Sequence, residues 1–295
     1  MDPTLKTKTI SKLKSEIRTL SPRLRTVAKY IVDHPSDFGL DSIRETARKC
    51  GVSTYTLVRM ADRMGFESYD ELREPFRHAL VSSTATFDRP EWVDNMREKG
   101  DLGSVLAEAS LNSMAIVQRS LERQSPEQMA RVATMLLEAR NVYLTAVRAS
   151  YATACYFHYV GRMALPSLQL VPLQMNNAID ELNNAGVGDV LIAITCTPYS
   201  RETIEACIFA RERGVKLIVI ADSDVVFAGF TPEETLVAST ISTHHFGCYS
   251  GIMALLENLL ALLVKLGGED ALQRIKSYED LRNKTNAYWV AHKKH

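Results

Sequence analysis

The sequence predicts an all-α helix-turn-helix domain followed by an α/β three-layer sandwich with a parallel sheet. Three observations carry this expectation. Residues 1–80 show only helix-period apolar spacing. After Arg140 the texture changes to short β-rich runs, VYLTAV, LQLV, VLIAIT, LIVIA and TLVA, alternating with helical stretches, as a sheet covered on both faces requires. The length of 295 residues fits two domains with a connector.

The first predicted helix, Thr9 to Leu20, carries Ile10, Leu13, Ile17 and Leu20 on one face. Ser21-Pro22 stops it and starts a second helix, with Leu24, Val27, Ala28, Ile31 and Val32 inward, ending near His34-Pro35. A third begins at Ser42, spaced from Glu45 as in a capping box. Ile43, Ala47 and Cys50, then Val52, Leu57 and Met60, form stripes on two short helices that cross where Ala47 is small. Gly51 supplies the positive φ that ends the first of them, and Ser53 caps the second. Gly65 closes that second helix, and Ser68 with Glu71 opens a last one through about Leu80.

The second helix of the crossing pair leaves Thr54, Tyr55, Thr56, Arg59 and Arg63 outward, with no carboxylate in its first two turns. Together with Ser53 this set suits a DNA major groove, hydroxyls toward base edges and guanidiniums toward bases or phosphates. The alternative is an ordinary surface helix pair. Charge gives mild support: residues 1–80 hold 15 Lys and Arg against 11 Asp and Glu, and the remainder holds 20 against 24.

Residues 81–100 form a connector, and a linking helix follows with apolar residues at Leu102, Val105, Leu106, Ala109, Met114, Val117 and Leu121. Ser125-Pro126 starts another helix. The predicted divisions are 1–80 for DNA binding, 81–124 for the connector and linking helix, 125–268 for the α/β domain and 269–295 for a C-terminal helix. Hydrophobic content of 46% and charged content of 24% are those of a soluble globular protein. The N-terminus has no apolar signal core, and the most apolar run, Ile252 to Leu266, contains Glu257 and Lys265, so a cytoplasmic protein with no membrane partner is expected. Five cysteines without a C-x-x-C pair argue for reduced thiols and against a zinc site, and no cofactor motif such as G-x-G-x-x-G is present.

Ligands of parallel sheets bind beyond the strands' carboxyl ends, which points to the residues after Val147, Thr195 and Ala221. The stretch TCTPYSRETIE puts Thr195, Thr197 and Ser200 at a strand end directly before a helix N-terminus, a cradle for phosphate or carboxylate. An ordinary capped helix is the competing reading. Cys196 has no Lys or His beside it to activate its thiol. Asp222-Ser223-Asp224 reads as a turn, and His244-His245 either edges the ligand site or packs on the surface. Glu257 faces water or a partner subunit, and the broad apolar face of its helix favours a homodimer or homotetramer.

The segment DVLIAITCTPYSRETIEACIFARERGVKLIVIADS resembles the phosphosugar-binding core of a sugar isomerase (SIS) domain, whose motif runs roughly D-x-x-I-x-I-S-x-S-G-x-T-x-E-T. It matches at Asp189, Thr195, Thr197, Ser200, Glu202 and Thr203. A helix-turn-helix joined to such a domain is similar to the RpiR/MurR family of bacterial transcription regulators, from the first helix to about Leu266. The resemblance implies a regulator that binds a double-stranded operator, with inverted-repeat symmetry matching an oligomer. A small anionic metabolite, a phosphosugar or related compound, would modulate it at Arg148, Ser150, Thr195, Thr197, Tyr199 and Ser200. Two departures stand out. Pro198 replaces the loop glycine and removes a donor N–H. Where the family's first strand ends in G-x-G-x-S, this chain reads Ala146-Val147-Arg148-Ala149-Ser150, so an arginine fills the second glycine position. Arg148 either anchors an anionic group of the effector or lies at a subunit interface. A phosphosugar aldose-ketose isomerase is the alternative function; it requires a general base, which no residue supplies by sequence alone, so no catalytic residue is assigned.

Overall fold

The computed structural model describes residues 5–82, 90–173, 176–227, 230–240, 242 and 246–289. His244 and His245 lie outside them, as does part of the connector. The chain divides into two compact units, one of residues 1–95 with 225–230 and the other of residues 96–224 with 231–295.

The first unit is helical: α1 (Leu5–Glu16), α2 (Pro22–Asp33), α3 (Pro35–Leu40), α4 (Ile43–Cys50), α5 (Thr54–Met64), α6 (Tyr69–Ser82) and, in the connector, α7 (Glu91–Arg97). The first helix begins before the expected Thr9 and ends in a 3-10 turn at Ile17–Thr19. The short α3 was not anticipated, because six residues, one of them Gly39, are too few to show a helical period. It matters nonetheless: its Phe38 is fully buried and meets Tyr69 and Phe76 edge-on at 5.5 and 5.0 Å between ring centres. Leu13, Val27, Ile31, Leu57 and Met60 complete this core.

The second unit opens with α8 (Asp101–Glu122) and α9 (Pro126–Glu138), followed by β1 (Val142–Thr145), α10 (Ala149–Gly161), β2 (Leu168–Val171), α11 (Ala178–Glu181), β3 (Val190–Ile194), α12 (Arg201–Glu212), β4 (Lys216–Ala221), β5 (Glu234–Val237) and α13 (Ser250–Lys284). The expected helix up to Asn184 is only α11 and a 3-10 turn. All strand pairs are parallel, in the order β2-β1-β3-β4-β5. Alternate strand residues face opposite layers. Leu144, Ile192, Ile194, Ile218 and Ile220 pack with α9, α10 and α13, and α12 closes the other face. The result is a three-layer α/β sandwich.

The inward face of α8 differs from the expected one. Leu102, Val105 and Leu106 are 80, 62 and 58% exposed, while Gly103, Ala107, Ile116 and Ser120 are buried. Small residues decide this orientation by permitting close approach. A Cβ on Gly103 would come within 2.1 Å of the Met96 carbonyl oxygen, and one on Gly251 of α13 within 2.2 Å of the Ser120 hydroxyl. By length and composition α13 could cross a bilayer. Its Ile252, Leu255, Leu256, Leu259 and Leu263 are instead fully buried in the sandwich core, and the helix breaks at Gly268, where φ is 57°. Glu257 is exposed and accepts a hydrogen bond from Tyr156.

Candidate functional site

The helical unit presents α4 and α5 around a turn with two well-formed caps. Gly51 adopts φ 63° and ψ 33°; its N–H reaches the Arg48 carbonyl, and that of Val52 reaches Ala47, which closes α4 in a Schellman motif. Ser53 then caps α5 by accepting from the Thr56 N–H at 3.3 Å. Gly65 repeats the Schellman closure at the far end of α5, and the Lys12 ammonium donates to the Met64 carbonyl there. The helix is thereby held at both ends.

Of the residues expected outward on α5, Ser53, Thr54, Tyr55 and Arg59 are exposed, Tyr55 by 69%. Arg59 forms no ion pair among the described residues. Thr56 departs from expectation: it is buried, and its hydroxyl meets Ser53 Oγ at 3.0 Å, so it serves the cap from inside. Arg63 is exposed, but Glu16 of α1 pairs with it at 3.2 Å, a carboxylate the local sequence could not reveal. The outward face is therefore polar and basic chiefly over the first two turns of α5.

In the sandwich, chain order reverses between β1 and β3. A crevice opens at such a switch point beyond the carboxyl ends of the strands. A cavity of about 290 Å³ lies there, lined by Thr145 at the end of β1 and Val147 after it, Pro172 and Asn176–Ala178 after β2, and Glu202 in the first turn of α12. Thr145 is fully buried, and its hydroxyl has no hydrogen-bond partner among the described residues. Such a group is costly unless something satisfies it.

The sequence-predicted residues surround this cavity more than they line it. Arg148 sits at the N-cap of α10 with φ 57° and ψ −134°, a conformation that favours glycine, and its guanidinium extends into solvent to pair with Glu202 at 3.3 Å. Ser150 is buried, 3.3 Å from the Tyr249 hydroxyl. Thr195 is buried and hydrogen-bonded to β4 through its N–H. Thr197 donates its N–H to Asp222 at 3.0 Å, and its buried hydroxyl has no partner among the described residues. Tyr199 and Ser200 are half-buried, and the Ser200 hydroxyl donates to Glu202 at 2.5 Å. Asp222 thus pins the TCTPYS loop, beyond the turn expected of it. Thr197-Pro198 is a cis peptide. Burial, reinforced by Asp222, pushes the Cys196 thiol up, in keeping with an inert thiol.

Sequence reasoning missed Thr145, Asn176, Asn177 and Tyr249 as residues of this neighbourhood. Only Asn177 carried a local signal, its capping-box spacing to Asp180. Asp189, a match to the family motif, lies at the other end of β3. There it accepts from Arg140 through Nε at 2.9 Å and Nη2 at 2.7 Å, from the Asn141 amide at 3.0 Å and from the Gly186 N–H at 2.9 Å. Burial would raise this carboxyl, but those donors together hold it below the usual range.

Residues 7–83 match the helix-turn-helix domain of the rpiR family, and residues 135–265 match the SIS domain. The chain belongs to the RpiR family of transcriptional regulators. It is 24% identical over 210 residues to the HTH-type transcriptional regulator HexR of Pseudomonas aeruginosa, covering 71% of each chain. At 22% identity, 83% of the chain corresponds to 36% of the bifunctional protein glk of Paraburkholderia xenovorans, so it spans about a third of that relative. The NanR protein of Vibrio vulnificus, solved in complex with ManNAc-6P, shares the fold, with a TM-score of 0.57 at 19% identity over 94% of this chain and 98% of the other. This RpiR-family chain is accordingly a helix-turn-helix regulator with an SIS domain.

Proposed function

We propose that this RpiR-family regulator binds a double-stranded, inverted-repeat operator through residues 1–80, and that a small anionic metabolite held by residues 125–268 modulates that binding. The effector class is a phosphosugar or a close relative. The observation that carries this is the cavity at the β1/β3 switch point, lined by Val147 just before α10 and by Glu202 in the first turn of α12, with the Ser200 hydroxyl bonded to Glu202. Helix termini and hydroxyls suit a phosphate, and Thr145 and Asn176 suit sugar hydroxyls. The phosphosugar in the NanR complex supports the same class. On α5, Ser53, Thr54, Tyr55, Arg59 and Arg63 are the proposed DNA contacts, with Thr56 positioning the helix start. The protein acts in the cytoplasm as a homodimer or homotetramer, without enzymatic turnover. Glu202 is a carboxylate at the cavity, but Ser200, the Glu202 N–H and Arg148 hold it below the usual range, which makes it a weak base for isomerisation.

The test is a mobility-shift titration of an operator selected from genomic fragments, repeated with a panel of phosphosugars that includes N-acetylmannosamine 6-phosphate. A shift in operator affinity with one of them, without its chemical conversion, is the expected result. Conversion to an isomer by the purified protein would favour the enzyme reading.

A further inference from the structure

Beside the cavity, the N-terminus of α12 presents free N–H groups that attract negative charge, and the chain's own Glu202 carboxylate occupies that position. One Glu202 oxygen accepts from the Ser200 hydroxyl at 2.5 Å, and the other from the Arg148 guanidinium at 3.3 Å. The Ser200 hydroxyl, the backbone N–H of Glu202 itself and the cations Arg148 and Arg201 all favour the ionised form. A hydroxyl, a helix-terminal N–H and a guanidinium are the donors a phosphate would seek. Glu202 also lines the cavity with Thr145, whose buried hydroxyl lacks a partner among the described residues, one that an entering ligand oxygen would supply.

We infer that Glu202 sets the threshold for binding by standing in for the ligand's anion: a phosphate must displace its carboxylate from Ser200 and Arg148 before it can bind. This rests on the proposed placement of the effector at this end of the sheet. Of the contacts to be displaced, that with Arg148 is weak, since Arg148 and Glu202 are 73 and 48% exposed and meet through a single long hydrogen bond, whereas that with Ser200, at 2.5 Å to a carboxylate, is the stronger. Displacement therefore succeeds only for a ligand with further groups to place inside. A phosphosugar has hydroxyls for Thr145 and Asn176. Inorganic phosphate has the same charge and nothing else, and Glu202 repels it. The residue thus sets a threshold that the further contacts of a sugar ester pass and free phosphate, with none, does not.

Calorimetry of the full chain with inorganic phosphate tests this without knowledge of the natural effector. Glu202→Gln keeps shape and removes charge, and should bind inorganic phosphate about tenfold more tightly than the wild type, the scale expected for removing one like charge at an exposed site. In Glu202→Gln combined with Arg148→Ala, much of that gain should disappear, because the freed guanidinium is what turns to the phosphate. Equal or weaker phosphate binding by Glu202→Gln overturns the inference. Thr145→Val separates this failure from failure of the site itself, with a phosphosugar that binds the wild type as probe. If Thr145→Val weakens that phosphosugar while Glu202→Gln leaves phosphate affinity unchanged, the cavity stands and only the role of Glu202 falls. If neither variant changes any affinity, the effector binds elsewhere and both readings fall.

Discussion

Replacing Asp189 with asparagine would measure what the amino end of the sheet contributes, apart from ligand binding at its carboxyl end. The wild-type carboxylate is fully buried and accepts four hydrogen bonds, two of them from the Arg140 guanidinium in a fork geometry. Asparagine keeps one acceptor and turns an NH₂ toward at least one of those donors. Breaking a buried pair costs roughly 3 to 5 kcal/mol, and Arg140, 60% exposed, regains water, so the lower end applies: about 3 kcal/mol. Urea unfolding read by circular dichroism checks this. The pH dependence has a definite sign. Because the folded carboxyl lies below its unfolded value of about 3.9, its stabilisation is fully present above that pH and is lost as pH falls through the folded value. The gap between wild type and mutant should therefore be constant near neutrality and close below about pH 4. A difference under about 1 kcal/mol at pH 7, or one that persists unchanged in acid, would refute the argument.

Three further outcomes are expected. Arg59→Ala should weaken specific operator binding by about 1 to 3 kcal/mol and relax preference at one base pair, with the oligomer intact; a mobility-shift titration matching wild type would remove Arg59 from the interface. Gly51→Ala should cost about 1 kcal/mol in thermal unfolding through backbone conformation alone, since φ is 63° and an added Cβ meets nothing within 4 Å. Asparagine there should cost less. Arg148→Ala should weaken an anionic effector by roughly ten- to a hundredfold, with Arg148→Lys intermediate if the guanidinium fork matters. A shift in oligomer distribution by light scattering, with ligand affinity unchanged, would place Arg148 at an interface instead.

How much of this was legible depended on whether the deciding physics was local. Gly51, Ser53 and Gly65 act through their own backbone or the next turn, so the helix-turn-helix could be read from spacing, and each adopts the expected role. The β-rich runs were legible because strands buried on both faces are continuously apolar. The face of α8 was not. Its leucines suggested one stripe, but contacts at Gly103 and Gly251 that only small residues permit turned another inward. Thr56 was misjudged as outward and the ion pair of Arg63 was not foreseen for a similar reason: the partners that decide their environment are a neighbouring hydroxyl cap and Glu16, 47 residues away. The cavity was half legible. The TCTPYS loop stood out by hydroxyl density, yet of its neighbourhood only Glu202 lines the cavity, whereas Thr145 and Asn176 gain meaning only once the strand order brings β1, β2 and β3 side by side.

That strand order also determines how the site can discriminate. The described residues lining the cavity contribute hydroxyl, amide and apolar groups and the carboxylate of Glu202, with no lysine or arginine among them. Selection among ligands of equal charge must then come from hydrogen-bond matching. A ligand that enters without an oxygen for Thr145 leaves a fully buried hydroxyl unpaired, at a cost of about 1 to 3 kcal/mol. By the affinity arithmetic this separates epimers or deoxy analogues by roughly tenfold to a hundredfold. Substituting Thr145 by valine should flatten that preference while leaving the phosphate contacts in place. The affinity ratio between a phosphosugar and its deoxy analogue, more than either affinity alone, is therefore the quantity that reports on the geometry of this pocket.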